Sequence, residues 1–188
     1  MHPGAEANMK GVVFTEFLEM VESRFSEAIA DQLIEDTAPP SGGAYTAVGT
    51  YPHQELVAMV VRLAQVSGTP VPALLQAFGT YLLGSFVRLY PDSFKGFTSS
   101  LDMLENIEVT VHSQVLKLYP EAELPHFEVV RRSPRELQMI YRSVRHLGDL
   151  AVGLIEGCAA HFGETLEIRR EDLGGPGQPI CFHVSQRA

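Results

Sequence analysis

Residues 125–145 read PHFEVVRRSPRELQMIYRSVR. Phe127 and Val129, then Leu137, Met139 and Tyr141, alternate with polar residues around a turn at Ser133-Pro134. Period-two alternation about a turn predicts two antiparallel strands. Upstream of Pro125 the apolar residues recur with helical spacing. The change of period at this proline predicts an α+β chain, with helices first and a mostly antiparallel sheet after them.

Working towards the N-terminus, Ser99 or Ser100 can cap a helix that runs to Leu118, where Tyr119-Pro120 closes it. Pro72 to Tyr90 is strongly apolar and helical in period, and Pro91 stops it. A helix over His53 to Val66 ends at Ser67-Gly68, and Ala38 to Gly43 is a loop by composition. Glu27 to Asp36 is a short helix, and Val12 to Val21 is the apolar stripe of the first one. Residues 1–8 are read as a flexible extension and residues 9–188 as a single domain. Towards the C-terminus, Leu147 to Phe162 is a helix inserted into the sheet. Thr165 to Arg170 and Ile180 to Ser185 form a last pair of strands around Gly174-Gly175-Pro176-Gly177.

The 188 residues suit one domain. Hydrophobic residues are 45% and charged residues 20%, an ordinary globular balance. The formal net charge of −9 disfavours nucleic acid and anionic membrane surfaces, which are bound through basic faces. No stretch approaches the ~20 apolar residues of a membrane span, and MHPGAEAN is not a secretory signal. Two cysteines, Cys158 and Cys181, make no disulfide framework, so a reducing cytoplasmic setting is expected.

Two features carry chemistry. His112 lies inside the Ser99–Leu118 helix, with Val109, Val115 and Leu116 at helical neighbour positions, so an apolar face is expected around it. A core histidine bonded to a backbone carbonyl fits that spacing, and so does a metal ligand. One histidine cannot build a closed zinc site. It can hold a haem, whose macrocycle supplies four nitrogens. Tyr141-x-Ser143-x-Arg145 would place a phenol, a hydroxyl and a guanidinium on one strand face, a set suited to paired carboxylates or simply to water. There is no G-x-S-x-G, P-loop, G-x-G-x-x-G or H-E-x-x-H pattern, and no catalytic residue is assigned.

Taken together, His112, Pro125 and Tyr141-x-Ser143-x-Arg145 make the chain resemble the H-NOX family. These are the haem–nitric oxide/oxygen binding domains related to the sensor domain of soluble guanylate cyclase. Ala77-Phe78-Gly79 and Gly153-Leu154-Ile155-Glu156-Gly157 are also similar to the family, and the likeness runs from Met9 to about Ser185. It implies a haem b buried between the helical part and the sheet. His112 is the implied proximal iron ligand, and Tyr141, Ser143 and Arg145 the implied propionate clamp. Pro125 would press on the haem. Val13 and Phe17 would face it, and Leu82, Phe86, Leu150 and Leu154 would form the distal wall.

The chain departs from the family pattern at two places. Oxygen-holding members carry a distal tyrosine where this chain has Leu150. Some members hold a structural zinc, but here only Cys181 falls on a ligand position, with Gly148, Arg170 and Leu173 at the others. Cys158-x-x-His161 with Cys181-x-His183 is a different conceivable zinc set; an apolar helical cysteine and a plain strand cysteine account for it more simply. The resemblance therefore implies a sensor of nitric oxide, which also binds carbon monoxide, and not an enzyme. It further implies a separate partner, a histidine kinase or a cyclic-di-GMP enzyme. An oxygen-binding sensor, a haem enzyme and a haem-free interaction module are the competing readings.

Overall fold

The structure, a computed structural model, describes residues 7–175 and 177–187. Helices fill the first two thirds and a four-stranded sheet the last third, as the change of period at Pro125 predicts. Strand β1 (Asn8–Lys10) leads into α1 (Gly11–Arg24) and α2 (Glu27–Thr37). Strand β2 (Thr50–Pro52) leads into α3 (His53–Ser67) and α4 (Val71–Leu89). Ser26 caps α2 by accepting from the Ile29 amide at 3.2 Å. Gly68, at φ 71°, closes α3 in the left-handed region. Helices α3 and α4 bend by 115° across this break. No single helix among the described residues is long and apolar enough to cross a membrane.

The expected extension is shorter than the sequence suggests. Residues 1–6 lie outside the described residues, but Ala7 and Asn8 belong to the fold. Asn8 pairs with Pro52 across β1 and β2, and the Ala7 carbonyl accepts the His53 amide at 3.1 Å. That pairing joins residues more than forty positions apart in sequence, so no local pattern announces it.

The expected helix over residues 100–118 is also corrected. It is broken into α5 (Ser100–Glu105), a π-helical segment (Ile107–His112) and α6 (Ser113–Leu118). Asn106 leaves helical geometry at φ −102°, ψ 11°, and its amide Nδ2 donates to the Asp102 carbonyl at 2.9 Å. Ile107, Val109, Thr110 and Val111 then follow, β-branched residues that crowd a tight helical turn. A π turn relaxes that crowding, and such turns concentrate at functional sites.

The sheet is antiparallel throughout, in the order β3 (His126–Ser133), β4 (Glu136–Arg142), β6 (Ile180–Gln186), β5 (Leu166–Asp172). Phe127 faces Tyr141 and Met139 faces Phe182 in its registers. Helix α7 (Gly148–His161) crosses from sheet to helical part and packs along α4. The crossing is close because Gly79 and Gly153 have no side chains. A Cβ on Gly79 would run into the Leu150 carbonyl oxygen, and one on Gly153 into the Gln76 carbonyl oxygen. The Thr80 hydroxyl donates to the Gly153 carbonyl at 3.2 Å across the same contact.

Two apolar cores result. One lies among α1–α4 and includes Phe17, Met20, Leu33, Met59 and Phe78. The other lies between the sheet, α5 and α7, and includes Leu101, Leu137, Met139, Ile155 and Phe182. They do not merge into one packed interior; residues of both line a cavity.

Candidate haem site

The cavity encloses about 240 Å³. Val13 of α1, Leu82 and Phe86 of α4, and Leu150 and Leu154 of α7 line it. The close α4–α7 crossing brings these last four leucine and phenylalanine side chains together. His112, Val111 and Val115 reach it from the π segment and α6, Pro125 from the following loop, and Phe127 and Tyr141 from the sheet.

Phe17 is not part of the lining. It is fully buried in the first core, edge-on to Phe78 with ring centroids 5.2 Å apart. It follows Val13 by one helical turn, but α1 turns that position towards α4 rather than the cavity.

His112 is 12% exposed, and its Nδ1 has no hydrogen-bond partner among the described residues. Glu108 Oε1 lies 3.3 Å from that nitrogen, close enough for attraction but not aligned as a bond. Burial pushes the imidazole pKa below its usual value, with the Glu108 carboxylate pulling in the opposite direction. The ring is therefore neutral at neutral pH, the form that ligates metals. Its surroundings differ from expectation in one respect. Val109 and Leu116 point outward, 72% and 42% exposed, while Val111 and Val115 face the cavity. The π turn rotates the residues before His112 away from their α-helical positions.

Tyr141, Ser143 and Arg145 do not share one strand face, because β4 ends at Arg142. Tyr141 lines the cavity, and burial raises its phenol pKa against the opposing pull of Ser143 and Arg145. The Ser143 hydroxyl accepts the Arg145 amide at 3.2 Å and borders a neighbouring open cleft. Arg145 borders both spaces and is 9% exposed. Its Nη1 donates to the Asn8 carbonyl at 2.6 Å and its Nη2 to the Glu123 carbonyl at 2.7 Å. The open cleft carries Arg142, His126 and His146 as well, against the single carboxylate of Glu123. The arrangement suits a flat apolar group whose two carboxylates emerge towards cationic side chains.

Several other polar residues of the cavity are engaged with one another or with their neighbours. The Tyr90 and Tyr119 hydroxyls lie 3.3 Å apart, and Ser93 Oγ donates to Gln114 at 2.6 Å. Burial raises the Tyr90 pKa to about 12 and that of the Cys158 thiol to about 12. Lys10 Nζ donates to the Val48 carbonyl, Thr50 Oγ1 and Glu121 Oε1, and stands 4.8 Å above the Tyr119 ring. Sequence reasoning missed Lys10, Tyr90 and Tyr119, whose partners lie 29 to 111 residues away. Glu108, four residues before His112, was in principle visible as an i,i+4 pair.

Cys181 Sγ lies 3.6 Å from His183 Nε2, which is 3.1 Å from Glu171 Oε2. Cys158 is instead buried beside Met103. Among the described residues no group of three or more histidines, cysteines and carboxylates is arranged to hold a metal ion.

The sequence model of the Haem-NO-binding family matches residues 10–170. The chain belongs to this family, the H-NOX domains. Several solved H-NOX structures share the fold. The unliganded Fe(II) protein from K. algicida is 31% identical, with a TM-score of 0.90 over 96% of this chain and 97% of that one. The H-NOX from Shewanella woodyi, in its Fe(II)CO state, is 36% identical, with a TM-score of 0.82 over 95% of each chain. The S. oneidensis H-NOX protein in the Fe(II)NO state is 25% identical, with a TM-score of 0.89 over 96% of this chain and 100% of that one. No curated protein sequence matches. An H-NOX domain is a haem-based gas sensor, so haem is the cofactor of this chain. The cavity fits such a group on its own evidence of an orphaned, buried ring nitrogen on His112.

Proposed function

We propose that this domain senses nitric oxide through a haem held by His112, with oxygen left unbound in air. The observation that carries the reading is the chemistry of the cavity: one neutral, buried imidazole, its Nδ1 without a hydrogen-bond partner among the described residues, in a space lined largely by apolar side chains. Ferrous haem, when bound, supplies an iron that takes diatomic gases.

The chain's own residues do the rest. Neutral His112 offers a nitrogen lone pair to a metal without first losing a proton. Tyr141, Ser143 and Arg145, together with the cationic cleft, receive the two carboxylates. Val13, Leu82, Phe86, Leu150 and Leu154 exclude water and offer no side-chain donor. Oxygen would depend on such a donor more than nitric oxide or carbon monoxide would, so this lining favours the latter two. His112 and Pro125 would hold the haem from different segments, so a change in either contact would give two states with different contacts, as any ligand-driven switch requires. The state change is read by a separate partner, a histidine kinase or a cyclic-di-GMP enzyme, in keeping with a sensor that is not itself an enzyme.

The test is the absorption spectrum of the ferrous protein, alone, with nitric oxide and in air. A shift with nitric oxide and none in air is expected. A stable, distinct spectrum in air overturns the selectivity for nitric oxide.

A further inference from the structure

Glu108 meets two imidazoles and one backbone amide. Its Oε1 accepts the Phe127 amide at 2.5 Å and lies 3.3 Å from His112 Nδ1. Its Oε2 lies 3.6 Å from Nδ1 of His126, a 65%-exposed side chain. The bond to Phe127 fixes the carboxylate at the start of β3, two residues after Pro125. The other side of the contact is incomplete, because His112 Nδ1 is buried and has no hydrogen-bond partner among the described residues.

A neutral imidazole carries one proton on two nitrogens. If Nε2 ligates a metal, the proton must sit on Nδ1, and ligating histidines nearly always pass that N–H to a carboxylate, a carbonyl or water. Among the described residues, Glu108 brings a carboxylate within reach of Nδ1. A small rotation of the ring turns a 3.3 Å approach into a bond.

We propose that Glu108 is the positioning residue for His112: its carboxylate accepts the Nδ1 proton, fixes the tautomer that leaves Nε2 free, and ties the ring to the Phe127 backbone. The inference rests on His112 as the haem ligand. Three things follow from the geometry. The carboxylate makes the imidazole a stronger donor to iron. The ring is held in one orientation. Movement of the histidine is transmitted through Glu108 to the start of β3 and the loop that carries Pro125.

Resonance Raman spectra of the ferrous holoprotein give the iron–histidine stretch for wild type, Glu108→Gln and Glu108→Ala. Gln retains an oxygen for the Phe127 amide but loses the charge; Ala loses both. The stretch should fall from wild type to Gln to Ala. Haem transfer to apomyoglobin should speed up by roughly 10–100-fold in the Ala variant, the usual effect of removing such a partner. If Ala proves too unstable to isolate, Gln decides, since its backbone bond is kept. Wild-type frequency in the haem-loaded Gln or Ala variant overturns the role of Glu108. A wild-type protein with no iron–histidine stretch defeats the reading of His112 itself, and this inference falls with it.

Discussion

Arg145→Ala is expected to weaken the protein even before haem is added. The guanidinium is nearly buried and makes two short, charge-assisted bonds, to the Asn8 carbonyl at 2.6 Å and the Glu123 carbonyl at 2.7 Å. These bonds fasten β1 and the 119–125 loop to the segment after β4. Each such bond contributes roughly 1.5–3 kcal/mol. Glu123 is an exposed residue, so water reaches one of the freed carbonyls, and the loss belongs at the lower end, about 3 kcal/mol for the pair. For a chain of this length, 1 kcal/mol lowers Tm by roughly 2–4 °C. The expected fall is then roughly 6–12 °C, read by circular dichroism on haem-free protein. Arg145→Lys keeps the charge but not the fork and should recover only part of it. In the loaded protein, Arg145→Ala should also transfer haem to apomyoglobin faster. A haem-free Arg145→Ala protein that melts within about 2 °C of wild type would show that the two carbonyl bonds do not hold β1 and the loop in place.

Two further outcomes are expected. Leu150→Tyr puts a phenol on the cavity lining, where one donor bond of roughly 1.5–3 kcal/mol raises oxygen affinity about 10–150-fold. Overpacking of ~1–3 kcal/mol takes back part of that gain, and no change in the oxygen-binding curve would place Leu150 away from the gas. The Cys158 thiol, raised to about 12 by burial, stays protonated in the fold while the unfolded thiol ionises near 8.5. Above that pH the native state binds more protons than the unfolded one. Stability should therefore decline as pH rises from about 8.5 towards 12, by up to about 1.4 kcal/mol per pH unit. Native protein should react with Ellman's reagent at neither cysteine until denatured, and denaturation midpoints that stay level or rise above pH 9 would contradict this.

Much of the fold is local and so was readable from the sequence. Ser67-Gly68 and Pro70 break α3 from α4, and the alternation of Leu137, Met139 and Tyr141 gives β4 its buried face. His112, Leu82, Phe86, Leu150 and Leu154 all reach the cavity. The readings that changed depend on long-range contacts or on competition between backbone states. The β1–β2 pair needs residues 8–10 to meet residues 50–52. The π turn arises where β-branched crowding outweighs an α-helical hydrophobic period. Phe17 shows the limit of periodicity. Val13 and Phe17 lie one turn apart on α1, and only the placing of α4 decides that the first borders the cavity and the second packs on Phe78. Arg145 shows another, because its carbonyl partners at Asn8 and Glu123 leave no trace in the Tyr141-x-Ser143-x-Arg145 motif.

The assignment of His112 as the residue that holds the haem is tested most directly by the absorption spectrum of ferrous His112→Gly, recorded with and without added imidazole. Without imidazole the variant should lose its haem or hold it weakly, and imidazole filling the vacated space should restore the five-coordinate ferrous spectrum of wild type. An unchanged Soret band in His112→Gly without imidazole would mean that another residue holds the iron.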